Sequence, residues 1–230
     1  MATTPIQLIA SMATKLLLAD LVARYAAQTG VPVNVVSVGG VDAAQRVQAG
    51  EAFDVVMLAA SAIEQLTAAG HIVPGSRVDV VDSGVAVAVR AGAALPDIGS
   101  EATVKAAVLA APRLSYSTGP SGVQLARLFE RWGIADTLAG RIVTAPPGVP
   151  VGTLVACGEV ELGFQQYSEL MHLPGITVVG PLPSEIQITT TFAAGIGSRS
   201  AQPEAVRALL QFFASPEVAA LKRQHGMVAA

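Results

Sequence analysis

Cysteine occurs once, at Cys157, so no disulfide can close within the chain, and no CxxC or Cys/His spacing is present to hold a metal. Charge is scarce as well. Lys, Arg, Asp and Glu make 13% of the 230 residues and leave a net charge of −3, with no basic cluster to meet nucleic acid or an anionic membrane surface. Long apolar runs are also missing. The stretch 8–23 carries Lys15 and Asp20. The uncharged stretch 142–158 is broken by Pro146, Pro147, Gly148, Pro150 and Gly152, which a spanning helix of about 20 residues would not carry. Met1-Ala2-Thr3-Thr4 has neither the basic start nor the apolar core of a signal peptide. Two locations stay open: the cytoplasm, or the periplasm after removal of a leader. GxSxG, the P-loop, the dinucleotide glycine fingerprint and HExxH are all absent, and no cofactor is expected.

What is present is apolar surface. Hydrophobic residues make 52% of the chain, enough to offset chain entropy, which excludes a disordered protein. The length suits two lobes of about 100 residues each. Short β-rich runs alternate with helical patterns, the arrangement of α/β layers around a mainly parallel sheet. Strands are predicted over 6–10, 33–38 and 54–58. The helices after them bury Leu17, Leu18, Leu21, Val22 and Tyr25, then Ala43, Ala44 and Val47, then Ile63 and Leu66, and they close at Gly30, Gly50 and Gly70. A second region adds strands over 85–89, 114–117, 162–165 and 176–179. It adds helices over 102–110, along Leu125, Leu128, Phe129 and Trp132 at helical spacing, and around Leu154 and Val155. Two closing helices begin at Pro203 and Pro216, with Ser200 and Ser215 as candidate N-caps and Val206, Leu209, Leu210 and Phe213 along one face.

Three strand-to-helix turns offer anion chemistry. Ser115-Tyr116-Ser117-Thr118-Gly119-Pro120-Ser121-Gly122 leaves a strand and opens the strongest helix, where backbone N–H groups, hydroxyls and the positive helix end converge. An N-cap by Ser121 or Thr118 explains the same pattern equally well. Ser11-Met12-Ala13-Thr14 and Val38-Gly39-Gly40-Val41 repeat the arrangement, each read alone as an ordinary turn. Together they place three donor-rich turns at the carboxyl ends of strands, where open α/β sheets bind ligands. Gln165 and Gln166 end a buried strand, so at least one amide needs partners from a ligand or from neighbouring backbone, and Tyr167 and Ser168 extend that polar edge. Asp54 opens the third strand and reads as structural. His71, His172 and His225 lie in loops or near helix ends and read as surface residues.

As a set, several segments resemble the periplasmic molybdate-binding proteins of the type II solute-binding superfamily, over essentially the whole chain. These are the Ser11-to-Thr14 turn, Gln48-Ala49-Gly50-Glu51-Ala52-Phe53-Asp54-Val55-Val56, and Gly119-Pro120-Ser121-Gly122 with Trp132-Gly133-Ile134-Ala135-Asp136-Thr137-Leu138. Later come Glu161-Leu162-Gly163-Phe164 with Tyr167-Ser168-Glu169, and Ser215-Pro216-Glu217 with His225-Gly226. The resemblance implies a two-lobed α/β fold with mixed sheets flanked by helices: lobe 1 from 1–82 plus 195–230, lobe 2 from 83–194, hinge strands at 84–90 and 188–195. It also implies a small anion bound in a cleft, a monomer, an ABC permease as partner, a periplasmic location, and no nucleic acid or membrane insertion.

The resemblance is weaker at the ligand. The family uses serine hydroxyls in its first two loops and a tyrosine at the late strand. Here Ala13 and Gly40 take the serine positions, Gln166 takes the tyrosine's with Tyr167 beside it, and Ser121 replaces a small residue. The ligand set it implies is Ser11, Ala13, Thr14, Gly39, Gly40, Ser117, Thr118, Ser121, Gln166 and Tyr167. Each lost hydroxyl removes about 1 kcal/mol from an oxyanion site, so a larger organic acid of the di- or tricarboxylate class is expected over molybdate or tungstate. Aconitate isomerases share the scaffold, and a proton shift would need a titratable group, for which Lys15 and Tyr167 are the candidates, with Tyr116 and His172 behind them. Carrier, isomerase, molybdate binder and ligand sensor stay open.

Overall fold

The structure, a computed structural model, describes residues 4–146 and 148–230. The chain forms two compact units. One comprises the segment up to Asp82 together with Thr191–Ala230, the other Ser83–Thr190.

In the first unit, β1 (Ile6–Ser11) passes through a 3-10 turn (Met12–Thr14) into α1 (Lys15–Thr29). β2 (Val33–Val38) leads into α2 (Gly40–Gln48), and β3 (Val55–Ala59) into α3 (Ala60–Ala68). β1 lies between β2 and β3, parallel to both. β4 (Val78–Arg90) carries the chain into the second unit. The sequence predicts this strand only over 85–89, because Asp79, Asp82 and Ser83 interrupt the apolar run. Backbone pairing at Val81 and Asp82 extends it regardless of side-chain polarity.

The second unit continues with α4 (Glu101–Ala110), β5 (Leu114–Tyr116), α5 (Pro120–Arg131), α6 (Ala135–Leu138), α7 (Val151–Ala156), β6 (Leu162–Gln166), α8 (Tyr167–Leu170) and β7 (Ile176–Pro181). β6 is parallel to β5 and antiparallel to β4, whose other neighbour here is antiparallel β7. β8 (Thr189–Ile196) returns the chain to the first unit and pairs antiparallel with β3. α9 (Pro203–Ala214), α10 (Ala219–Gln224) and β9 (Val228–Ala229) complete it, β9 antiparallel on β4. The pairing is therefore mixed rather than mainly parallel. Strands fed by helical crossovers are parallel, while β4, β7 and β8 run against their neighbours.

Alternation along the strands explains both cores. On β1 and β3, Ile6, Leu8, Val55 and Met57 face one side, against Leu17, Leu18 and Leu21 of α1 and Val206, Leu209 and Phe213 of α9. Ile9, Val56 and Leu58 face the other, against Val47 of α2 and Ile63 and Leu66 of α3. Strands buried on both faces read as continuous apolar runs, as β3 does. In the second unit, Val85, Val87, Leu114, Leu162 and Phe164 pack against Val104 and Val108 of α4 and Leu125, Leu128 and Phe129 of α5. Each such side chain contributes about 1.5–3 kcal/mol on burial.

Ser215 caps the 3-10 turn at Pro216–Val218 as its sequence position predicts, its Oγ accepting from Glu217 N. Ser200 does not cap α9. Gln202 holds that position, and the Ser200 Oγ accepts from the Gln202 N–H while donating to Asp54.

Candidate functional site

The parallel pairing of β1 and β2 brings Ser11 opposite Val38, so the first two donor-rich turns leave the sheet side by side. Local bonds occupy the hydroxyls of the first. Ser11 Oγ accepts from the Ala13 N–H at 3.4 Å, and Thr14 Oγ1 donates to the Ser11 carbonyl at 3.0 Å. Thr14 is fully buried and Ala13 nearly so, while Lys15 is exposed at the start of α1. In the second turn Gly39 is the N-cap of α2, which no side chain caps. A Cβ at Gly40 would meet only the Ser11 Oγ, at 3.9 Å, so the two turns face each other across a small open gap. Ser37, on β2, has a buried hydroxyl with no hydrogen-bond partner.

In the second unit the third turn is tighter. A Cβ at Gly122 would overlap the Ser117 carbonyl oxygen outright, so this position requires glycine and the turn folds onto the first turn of α5. The hydroxyls of Ser117 and Ser121 bond each other at 3.0 Å. Neither Ser121 nor Thr118 is the N-cap. Gly119 holds that place in extended backbone and no side chain caps the helix, because Pro120 is the first helical residue and Ser121, two past the cap, already lies inside the first turn. The first-turn N–H groups of α5 are therefore not satisfied by a cap. Ser115 is buried, and its Oγ has no partner.

Both glutamines at the end of β6 are buried, and alternation sends them to opposite faces. Gln165 is held by the protein: its Oε1 accepts from the Val151 N–H at the start of α7 at 2.9 Å, and its Nε2 donates to Glu169 Oε1 at 2.8 Å. Gln166 is half-satisfied. Its Nε2 donates to Thr190 Oγ1 at 2.9 Å, and its Oε1 is buried without a partner. Val85 pairs with Gln166, so Ser83, two residues earlier on β4, shares that face, and its Oγ is also buried without a partner. Tyr167 opens α8, partly buried, and packs beside Leu170. Burial pushes the Tyr116 phenol above its ordinary range. Desolvation lifts the Glu169 carboxyl to about 7 against a smaller lowering by the Gln165 bond.

Residues 6–228 match the family model of bacterial extracellular solute-binding proteins. The chain belongs to that family. It is 39% identical over 209 residues to an aconitate isomerase from a Pseudomonas species, covering 88% of this chain and 79% of the relative. Among solved structures it superposes on the periplasmic molybdate-binding protein of Azotobacter vinelandii with a TM-score of 0.81 at 20% identity, covering 98% and 99% of the two chains. The sulfate-binding protein of Mycobacterium tuberculosis gives 0.80 at 16%, covering 97% and 86%. The L-phospholactate-bound PEB3 protein of Campylobacter jejuni gives 0.77 at 16%, covering 98% and 100%. At these identities the structural neighbours establish the fold of this solute-binding chain: mixed α/β with helices flanking the strands.

A groove of about 360 Å³ in the first unit is lined by Pro5, Gln7, Asp54, Arg199 and Gln202, at the opposite ends of β1 and β3 from the donor-rich turns. Its one carboxylate is engaged: Asp54 accepts from the Gln7 N–H, the Ser200 hydroxyl and the Gln202 amide, a structural clasp. Among the described residues no three His, Cys, Asp or Glu side chains gather as a metal site, and no helix is long and apolar enough to cross a membrane. The sequence reading missed the Val151–Gln165–Glu169 chain and Thr190. The signal for the first was Gln165 and Glu169 four residues apart across a strand-to-helix junction. Thr190 carries none, being 24 residues from its partner.

Proposed function

We propose that this chain captures a small di- or tricarboxylic acid as the periplasmic solute-binding component of an ABC-type transporter. The observation that carries the reading is the start of α5, where an uncapped first turn, the Ser117–Ser121 hydroxyl pair and the overlap that makes Gly122 obligatory leave backbone donors at a helix N-terminus. Family membership supports the carrier role, and the name of the 39%-identical relative supports a tricarboxylate. Ala13 and Gly40 offer no hydroxyl to a compact tetrahedral oxyanion, which favours a larger organic acid. The ligand contacts proposed are Ser11, Ala13, Thr14, Gly39 and Gly40 in the first unit and Ser117, Thr118, Ser121, Gln166 and Tyr167 in the second.

Calorimetry tests this directly. Trans-aconitate or citrate is expected to bind at least tenfold more tightly than molybdate, and Ser121→Ala to weaken binding by about 0.5–2 kcal/mol in a folded protein. Submicromolar molybdate affinity with no measurable tricarboxylate binding would overturn the reading. A second reading, an aconitate isomerase, is favoured by the relative's printed activity and by the near-neutral carboxyl of Glu169.

A further inference from the structure

We propose that Gln166 selects for a donor hydrogen on the ligand, so that the acid this chain takes is a hydroxy acid, an assignment that rests on the carboxylic-acid reading above. β5 and β6 run parallel with Tyr116 opposite Phe164. Gln166 lies two residues beyond Phe164 on the same strand and so shares its face. α5 packs on that face. The Phe129 ring lies 5.9 Å from the ring of Tyr116 and 6.4 Å from that of Phe164, and a Cβ on Gly122 would come within 3.2 Å of Tyr116. The first turn of α5, which no side chain caps, therefore stands over the same end of the sheet face as Gln166.

The Gln166 amide is oriented. Its Nε2 donates to Thr190 Oγ1 at 2.9 Å, which leaves Oε1 as the free end, and Oε1 has no partner although the residue is only 3% exposed. Ser83 on β4 shares this face, and its Oγ is buried without a partner as well. The two orphans do not satisfy each other.

An amide carbonyl only accepts hydrogen bonds, and so does an ionised carboxylate. Facing Oε1, a carboxylate would gain nothing and would be repelled. A hydroxyl pairs with it. The two polar features of this face thus suit two different groups of one molecule: the N–H groups at the start of α5 take a carboxylate, and Gln166 Oε1 takes a hydroxyl proton. An acid without that hydroxyl leaves a buried acceptor bare, which is how a site built for a hydroxyl rejects the analogue lacking it.

The test sets citrate against tricarballylate, which has the same three carboxylates on the same carbon chain and lacks only the hydroxyl. Calorimetry at about pH 8 keeps the carboxyls of both acids ionised. The wild type is expected to bind citrate at least about tenfold more tightly. Gln166→Met, similar in length but without the acceptor, should bring the two acids within about threefold by weakening citrate alone. Thr190→Val frees the amide to turn and should narrow the ratio too, while Thr190→Ser, which keeps the hydroxyl, should restore it. A merely structural role for Thr190 would change stability and leave that ratio alone. Equal affinities in the wild type, a preference for tricarballylate, or a citrate preference that survives in folded Gln166→Met each overturn the assignment and leave the carboxylic-acid reading standing. Binding of neither acid overturns that reading and the assignment with it.

Discussion

Both units bury hydroxyls without partners, Ser37 in the first and Ser83 and Ser115 in the second, but only the second adds a bare amide oxygen, at Gln166. Thr14 and Ser11 use their hydroxyls to close their own turn. Around β6, by contrast, Gln166 Oε1, Ser83 Oγ and Ser115 Oγ are buried without partners, and a desolvated carboxyl sits four residues past Gln165. Buried unpaired polar groups cost about 1–3 kcal/mol each, and native proteins carry few of them. The second unit therefore carries more of that cost than the first. The turn hydroxyls of Ser11 and Thr14 are occupied locally, while the unpartnered groups of the second unit gather around β4, β5 and β6.

The strongest way to break that contrast is at the glycines. Gly122→Ala in the second unit forces a methyl into the Ser117 carbonyl, and a stability loss of about 3 kcal/mol is expected, with loss of ligand binding. Gly40→Ala in the first unit meets only the Ser11 Oγ at 3.9 Å and should stay within about 0.5 kcal/mol or gain slightly from helix propensity. Urea unfolding of both variants decides it. Equal losses would mean that the two turns are equally tight.

A comparable effect comes from pH. Burial raises the Glu169 carboxyl from 4.5 to about 7 in the folded state, so the native protein binds this proton more tightly than the unfolded chain does. The stability linked to it is present below pH 4.5 and is lost as pH rises through 7. Compared with Glu169→Gln, the wild type should match the variant near pH 4 and fall behind it by roughly 3 kcal/mol at pH 8. Denaturation midpoints that track each other across this range would remove the desolvated carboxyl from the argument.

The smallest test compares two threonines. Thr190→Val leaves Gln166 with neither end of its amide partnered and should cost about 1–3 kcal/mol, whereas Thr14→Val removes one local bond and should cost about 0.5–1.5 kcal/mol. A larger loss at Thr14 would reverse the proposed division between the units.

Much of the fold was legible because period and punctuation agreed with it. β2 spans Val33–Val38 as read, α1 ends at Gly30, and Leu125, Leu128 and Phe129 are buried on α5. Misreadings came where backbone pairing overrode side-chain pattern, as at the polar start of β4, or where a cap depended on two residues of register, as at Ser121 and Ser200.

The order of apolar and polar residues alone determined that this chain is an α/β protein of alternating strands and helices with donor-rich turns at strand ends. That follows because the 2-residue and 3.6-residue periods are local properties of a chain. Only the tertiary structure decided which polar groups are satisfied. Gln165 and Gln166 are adjacent and identical in sequence, yet one is clamped between Val151 and Glu169 while the other meets Thr190 and keeps a bare carbonyl. Hydrogen-bond satisfaction and desolvation depend on partners 14 and 24 residues away and on which face of a strand turns inward. No local period encodes those distances, so the desolvation of Glu169 became visible only once the chain had folded.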